Sequence, residues 1–222
     1  FQRIVQAQQQ RPNLKIVVID PRRTATCEFA DLHLPVRAGT DVWLFNGLLA
    51  HLDRHGHADQ EFIANHTRGV DEALRVAHES AGAAHVVSEM CGIDVAALNE
   101  FYSLFAGSRR VITAFSQGVN QSSAGTDKVN SIINCHLLSG RIGKPGAGPF
   151  SITGQPNAMG GREVGGLASA LAAHMDFAPE NVANVKRFWA APDMAEKPGL
   201  KAVDLFRAVG EGRIKALWIM AT

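Results

Sequence analysis

Cysteine is scarce in this chain. Only Cys27, Cys91 and Cys135 occur in 222 residues, widely spaced and in no CxxC or Cys/His pattern. That excludes a disulfide framework and a structural zinc site, and it suits three buried thiols in a reducing cytoplasm. Neither sign of charge dominates: 22 Lys and Arg face 21 Asp and Glu, for a net charge of +1. No long-range field is left to capture nucleic acid or an anionic membrane, so neither is an expected partner, and any anion must be held locally. Aromatics are few, at 7%. No apolar run is long enough to span a bilayer, and no stretch reads as a signal peptide. What is present, 46% hydrophobic and 19% charged residues, describes a globular chain with a real core. It starts at Phe1 without Met and stops at Thr222 beside the apolar run 216–221, read as a terminal strand. These ends are expected to be cuts in a longer polypeptide.

The patterning is that of an α/β protein. Residues 14–19 (LKIVVI) are apolar except for Lys15, as in a strand covered on both faces of a parallel sheet. Val42, Phe45, Leu49 and Leu52 recur at helical spacing, and Gly56 follows as a stop. From Asp94 a second stripe, Val95, Leu98, Phe101, Tyr102 and Phe105, predicts a helix closed by Gly107, then a strand over 111–115. Thr126 is expected to cap a helix carrying Val129, Ile132, Ile133 and Leu137. Residues 140–166 are rich in Gly and Pro without a period and predict a long structured loop, with a short helix over 164–175 after it. The last third reads as a loop rich in Ala and Asn, then a helix with Val203, Phe206 and Val209.

In open α/β sheets ligands lie beyond the carboxyl ends of strands, where loops lead into helices. Three polar runs occupy such places. Asp20-Pro21-Arg22-Arg23 follows the first strand: an acid there can accept from ribose or a guanine edge while arginines face a pyrophosphate, but a plain Asp-Pro turn with solvated arginines is equally consistent. Gly39-Thr40-Asp41 precedes the first clear helix, where Thr40 or Asp41 as a helix cap is the simpler explanation. Ser116-Gln117-Gly118-Val119-Asn120-Gln121 offers neutral amides to a heterocycle, or forms an ordinary polar turn. The Gly-rich stretch contains neither a Walker A pattern nor GxGxxG. Its single arginine, Arg162, set among glycines and ahead of a short helix, can approach a small anion with backbone amides assisting, or it can simply pair with Glu163.

Taken in order, these runs resemble the molybdenum bis(molybdopterin guanine dinucleotide) oxidoreductases. IDPRRTATCEFADLHLPVRAGTD looks like that family's guanosine-binding segment, and SQGVNQSSAGTDKVNSIINCHLLSGRIGKPGAGPFSITGQPNAMGGREVGG looks like its assimilatory nitrate reductases. Formate dehydrogenases typically carry RGQNNVQGACDMG where this chain has TGQPNAMGGREVGG, and periplasmic relatives typically have Met where this chain has Gln117. The resemblance implies an α/β fold, with a Rossmann-like guanosine-binding domain over 1–115 and part of an adjoining α/β domain over 116–222. It implies guanosine or phosphate contacts from Asp20, Arg22, Gly39, Thr40 and Asp41, pterin contacts from Gln117, Gly118 and Gln121, and an active-site role for Arg162. It also implies nitrate as substrate, an electron-donor protein or domain, and a four-iron four-sulfur cluster whose cysteines, like the molybdenum-ligating Cys, lie before Phe1. None of the three cysteines here matches those motifs, and the fragment by itself is expected to be inactive. A formate dehydrogenase or other reductase of the family, or a noncatalytic subunit that keeps the fold, remains the alternative.

Overall fold

A leucine-rich helix organises most of the molecule. The computed structural model describes residues 1–152, 154 and 157–219. They fall into two compact units, Phe1–Ile152 and Thr153–Thr222. The first contains α1 (Gln2–Gln10), β1 (Val17–Ile19), β2 (Leu32–Leu34), α2 (Asp41–Arg54), α3 (Gln60–His66), α4 (Val70–Ala81), α5 (Ala84–Cys91) and α6 (Val95–Gly107). After these come β3 (Ile112–Phe115), the single turn α7 (Gln117–Asn120), α8 (Gly125–Leu138) and β4 (Gly148–Ser151).

Leu44, Leu48 and Leu52 recur every fourth residue on α2, with Phe45 and Leu49 beside them, and all five are buried. This broad face lets α2 pack against α4, α5, α6 and α8 at once. Gly47 permits the closest approach: a Cβ there would collide with Tyr102 Oη and lie 2.8 Å from Val87 Cγ2. The phenol in turn donates to the Leu44 carbonyl at 2.9 Å, so a buried hydroxyl is satisfied where the two helices meet.

Two short parallel sheets flank this helical core. β1 pairs with β2, Ile19 opposite Leu34; β3 pairs with β4, Phe115 opposite Ser151. Parallel neighbours need a crossover, and α7 with α8 supplies it for β3 and β4. The α/β class is therefore as expected, but several boundaries differ. β1 is half-buried and has three residues rather than six: the Asp31 carboxylate takes the Ile16 N–H (2.8 Å) and Lys15 Nζ (2.9 Å) where the ladder would otherwise start. α8 begins at Gly125, behind an Ala124 that makes no side-chain cap, so Thr126 lies inside the helix. The expected loop 140–166 contains β4, and β4 ties residues up to 152 to the first unit through β3, so the compact units do not divide after residue 115.

The second unit has α9 (Ala158–Glu163), a 3-10 turn at Ala172–His174, α10 (Pro179–Trp189) and α11 (Ala202–Gly210). Its small core gathers Leu171, Val182 and Val185, with Met175, Phe177 and Met194 against them. The helix expected over 164–175 lies earlier, at α9. Gly165, at φ +75°, closes it, its N–H returning to Arg162 O at 3.1 Å and that of Gly166 to Gly161 O at 2.8 Å. α10 fills the stretch read as a loop; Pro179 starts it and the left-handed Ala190 ends it. Residues 213–219 form no strand, and the rest of the expected terminal strand, 220–222, lies outside the described residues.

Candidate functional site

Parallel pairing decides which loops share an edge. β1 runs into Asp20 and Arg22, β2 into the turn that holds Gly39, Thr40 and Asp41, and because the strands are parallel both loops leave the same edge. The junction is fixed by the Asp20 N–H donating to Leu34 O at 3.3 Å and by the contact of His33 Nε2 with Asp20 O at 2.9 Å. Asp20 Oδ1 accepts the Arg22 N–H at 2.8 Å, which folds the Asp-Pro turn and leaves the Arg22 guanidinium in solvent.

The Gly39 turn is anchored from behind. Arg37 Nη1 donates to Glu89 O (2.8 Å) and the Arg37 N–H to Cys91 O (2.7 Å), at the end of α5. Burial pushes the Cys91 thiol above its usual range, keeping it protonated to donate to Thr40 O at 3.7 Å. Thr40 stands at the N-cap position of α2, yet its hydroxyl turns back to Arg37 O (2.7 Å) and caps nothing. The capping explanation therefore fails for Thr40, and the first amides of a fourteen-residue helix carry no side-chain cap. Gly39, at φ +90°, has nothing within 4 Å of where a Cβ would lie. Open backbone, an acid at the strand end and an exposed guanidinium whose Nε lies 3.9 Å from that acid together form a set of donors and acceptors suited to a nucleotide's ribose, base edge and phosphates.

Asp41 departs from that description. Its Oδ2 lies 2.8 Å from Lys128 Nζ, with the two side chains 15% and 6% exposed. One carboxylate oxygen thus binds α2 to α8. The sequence reading missed Lys128, although it falls on the same helical face as Ser131, Ile132 and Cys135, all buried; a lysine on such a face requires an acid.

Gln117, Gly118 and Gln121 are exposed on α7 and just after it, at the carboxyl end of β3. Ser116 Oγ donates to Gln117 Oε1 at 2.7 Å, which orients that amide, and the Ile152 N–H donates to Phe115 O at 2.7 Å, so β4 ends at the same edge. Arg162 belongs to the other unit. It is exposed in the last turn of α9, where Asn157 Oδ1 caps the start of the helix by accepting the Gly160 N–H at 3.1 Å. Among the described residues it forms no ion pair with Glu163 or any other acid. Its position at the carboxyl end of a helix favours a cation but removes the expected assistance from helix-start amides.

Residues 2–222 match the family model described as Molybdopterin oxidoreductase. Curated proteins named nitrate reductase from Klebsiella oxytoca and Shewanella frigidimarina are 47% and 49% identical over the whole chain, which spans about a quarter of each. Among solved structures, acetylene hydratase from Pelobacter acetylenicus superposes with a TM-score of 0.58 at 25% identity, over 64% of this chain and 19% of that one. A family match over essentially every residue, on a scaffold whose parallel strands deliver the Asp20 and Gly39 loops to a shared edge, places this chain in the molybdopterin oxidoreductase family, enzymes built around a molybdenum–pterin cofactor.

Proposed function

We propose that the chain is part of a nitrate reductase that takes one oxygen atom from nitrate to give nitrite, with molybdenum bis(molybdopterin guanine dinucleotide) as cofactor. The observation that carries this is the identity of 47–49% with nitrate reductases along the whole chain, including the Arg162 helix. When bound, the cofactor supplies the two-electron oxygen-atom transfer; the protein binds, orients and polarises.

In this reading Asp20 accepts from the guanosine, Arg22 faces the phosphates, and Gly39 and Thr40 offer backbone at close range. Asp41 has only its second oxygen or its backbone to give, since Lys128 holds the first. Gln117, Gly118 and Gln121 present neutral donors and acceptors to the pterin edge. Arg162 holds the nitrate oxygens, because a planar guanidinium fork matches a planar trigonal anion better than a point-charge ammonium does. Electrons arrive from a donor protein or domain through a four-iron four-sulfur cluster held elsewhere in the polypeptide. Three buried, unpaired cysteines and Gln117 support a cytoplasmic, assimilatory setting over a periplasmic one.

The test is the full-length protein assayed for molybdenum, nitrate reduction and formate oxidation, beside its Arg162→Ala variant. A charged hydrogen bond contributes about 1.5–3 kcal/mol, so the variant should lose roughly 10- to 100-fold in kcat/KM for nitrate at unchanged molybdenum content. Arg162→Lys should recover only part of that. A fully active Arg162→Ala enzyme removes the residue from the site. Formate oxidation without nitrate reduction would instead favour the related formate dehydrogenases, one of which is 30% identical over 206 residues.

A further inference from the structure

At the amino ends of β3 and β4, the edge opposite Gln117, lies a cavity of about 600 Å³, within the range of small-molecule sites. His57, Ser108, Arg109, Arg110, Arg141 and Lys144 contribute to its wall. Asp59 is the acid at hand: it sits 3.3 Å from Lys144 Nζ and also accepts the Phe62 N–H. Arg109 and Arg110 form no ion pair among the described residues.

Arg141 is the informative group. It is 6% exposed, yet among the described residues no carboxylate pairs with it. Nη2 donates to Phe105 O (2.7 Å) and Ser108 O (2.8 Å), closing the end of α6, and the guanidinium carbon lies 4.4 Å from the centre of the Phe105 ring. Nη1 is buried and finds no hydrogen-bond partner among the described residues. A buried guanidinium is normally matched by an acid, because desolvating an unpaired charge costs several kcal/mol. Among the described residues that counter-charge is missing, while three further cations stand around the same hollow.

We propose that this cavity binds a small, multiply charged phosphate ligand, held by Arg109, Arg110 and Lys144 above the fixed positive charge of Arg141. Guanidinium forks suit phosphate oxygens, and the cavity has room for more than one phosphate group. The site lies at the opposite ends of β3 and β4 from Gln117, Gly118 and Gln121 and does not depend on the cofactor assignment.

Calorimetric titration of the full-length, cofactor-loaded protein with inorganic pyrophosphate, in about 0.15 M potassium chloride to screen nonspecific attraction, tests this directly. One saturable site per chain is expected, weakened at least tenfold in an Arg109→Ala, Arg110→Ala variant, whose exposed positions leave the fold intact. Sulfate as a second probe distinguishes a phosphate-selective site from one that takes any dianion, and phosphate selectivity requires pyrophosphate to bind the tighter. Hydrogen exchange should slow over residues 105–110 and 139–147 when pyrophosphate is added. Absence of saturable binding, equal binding of sulfate, or binding untouched by the double variant together with unchanged exchange in those segments would overturn the proposal.

Discussion

Replacing Asp41 by Asn removes the counter-charge of a lysine whose side chain is 6% exposed while keeping nearly the same shape. The cost is set by what stays behind. An exposed ion pair contributes about 0–1 kcal/mol, but breaking a buried one costs about 3–5 kcal/mol, because the orphaned charge keeps its desolvation penalty. Lys128 sits on the buried face of α8 against α2, so Asp41→Asn should fall near the lower end of the second range, about 3 kcal/mol. Native-state hydrogen exchange of the full-length protein reads this locally. Amides in the first turns of α2 and in α8 that open together should exchange about a hundredfold faster. Lys128→Met added to Asp41→Asn should restore much of the protection, since it removes the stranded charge and leaves an apolar side chain on an apolar face. Lys128→Met alone should cost less than Asp41→Asn, because the carboxylate, at 15% exposure, reaches water more easily. An Asp41→Asn protein whose α2 and α8 protection changes by less than threefold would refute the buried-pair argument and return Asp41 to a purely cofactor-facing role.

Gly47→Ala drives a methyl into Tyr102 Oη and Val87, and should destabilise by about 1–3 kcal/mol, with Tyr102→Phe in the same chain recovering part of it; denaturant midpoints of the two variants check this. His136 is fully buried, with Nε2 on Thr113 Oγ1 at 2.8 Å, and burial, then the Arg141 charge, pushes its pKa down to about 4. The unfolded chain takes up that proton near 6.5 and the folded chain refuses it until about 4, so this contribution is whole above pH 6.5 and is lost as pH falls toward 4, by up to about 3 kcal/mol. A His136→Gln variant should flatten the decline in that window, and an NMR titration placing the His136 pKa above 6 would contradict it. Asp94 accepts from the Ala96 and Ala97 amides at 2.9 and 3.1 Å as the N-cap of α6, so Asp94→Ala should cost about 1 kcal/mol in thermal unfolding. For Gln117 and Gln121, alanine at both positions should lower cofactor occupancy or shift the molybdenum potential modestly, each neutral bond contributing about 0.5–1.5 kcal/mol; wild-type values of both would remove them from the site.

How far the sequence was legible depended on whether a signal was local. The α2 and α6 stripes are periodic and stand out unaided, as do the loops that follow β1 and β3. α10 escaped because Ala and Asn dilute its stripe of Val182 and Val185, although Pro179 at its first turn marked it. Three helices, α3 to α5, lie between Gln60 and Cys91 without having been expected, although Val70, Ala73, Leu74, Ala77 and Ala81 recur at helical spacing along α4 and give a signal as local as that of α2. β1 is shorter than its apolar run because Asp31, fifteen residues away in sequence, takes the Ile16 amide that would have extended it. The same kind of distant partner hid the ion pair of Asp41, which required knowing that α8 lies against α2. Of the candidate site, residue types and order were readable; which loops share an edge depended on strand pairing, and that is a long-range property.

The burial of all three thiols has a practical consequence. Cys27 sits in the 3-10 turn between β1 and β2, Cys91 at the end of α5 and Cys135 in the last turn of α8, each at most 4% exposed. A mild alkylating reagent therefore finds none of them while the native packing holds, and each becomes a clock for the opening of its own neighbourhood. Pulsed labelling at rising denaturant, read peptide by peptide, would rank three parts of the first unit by the ease with which they come apart, without a single introduced substitution.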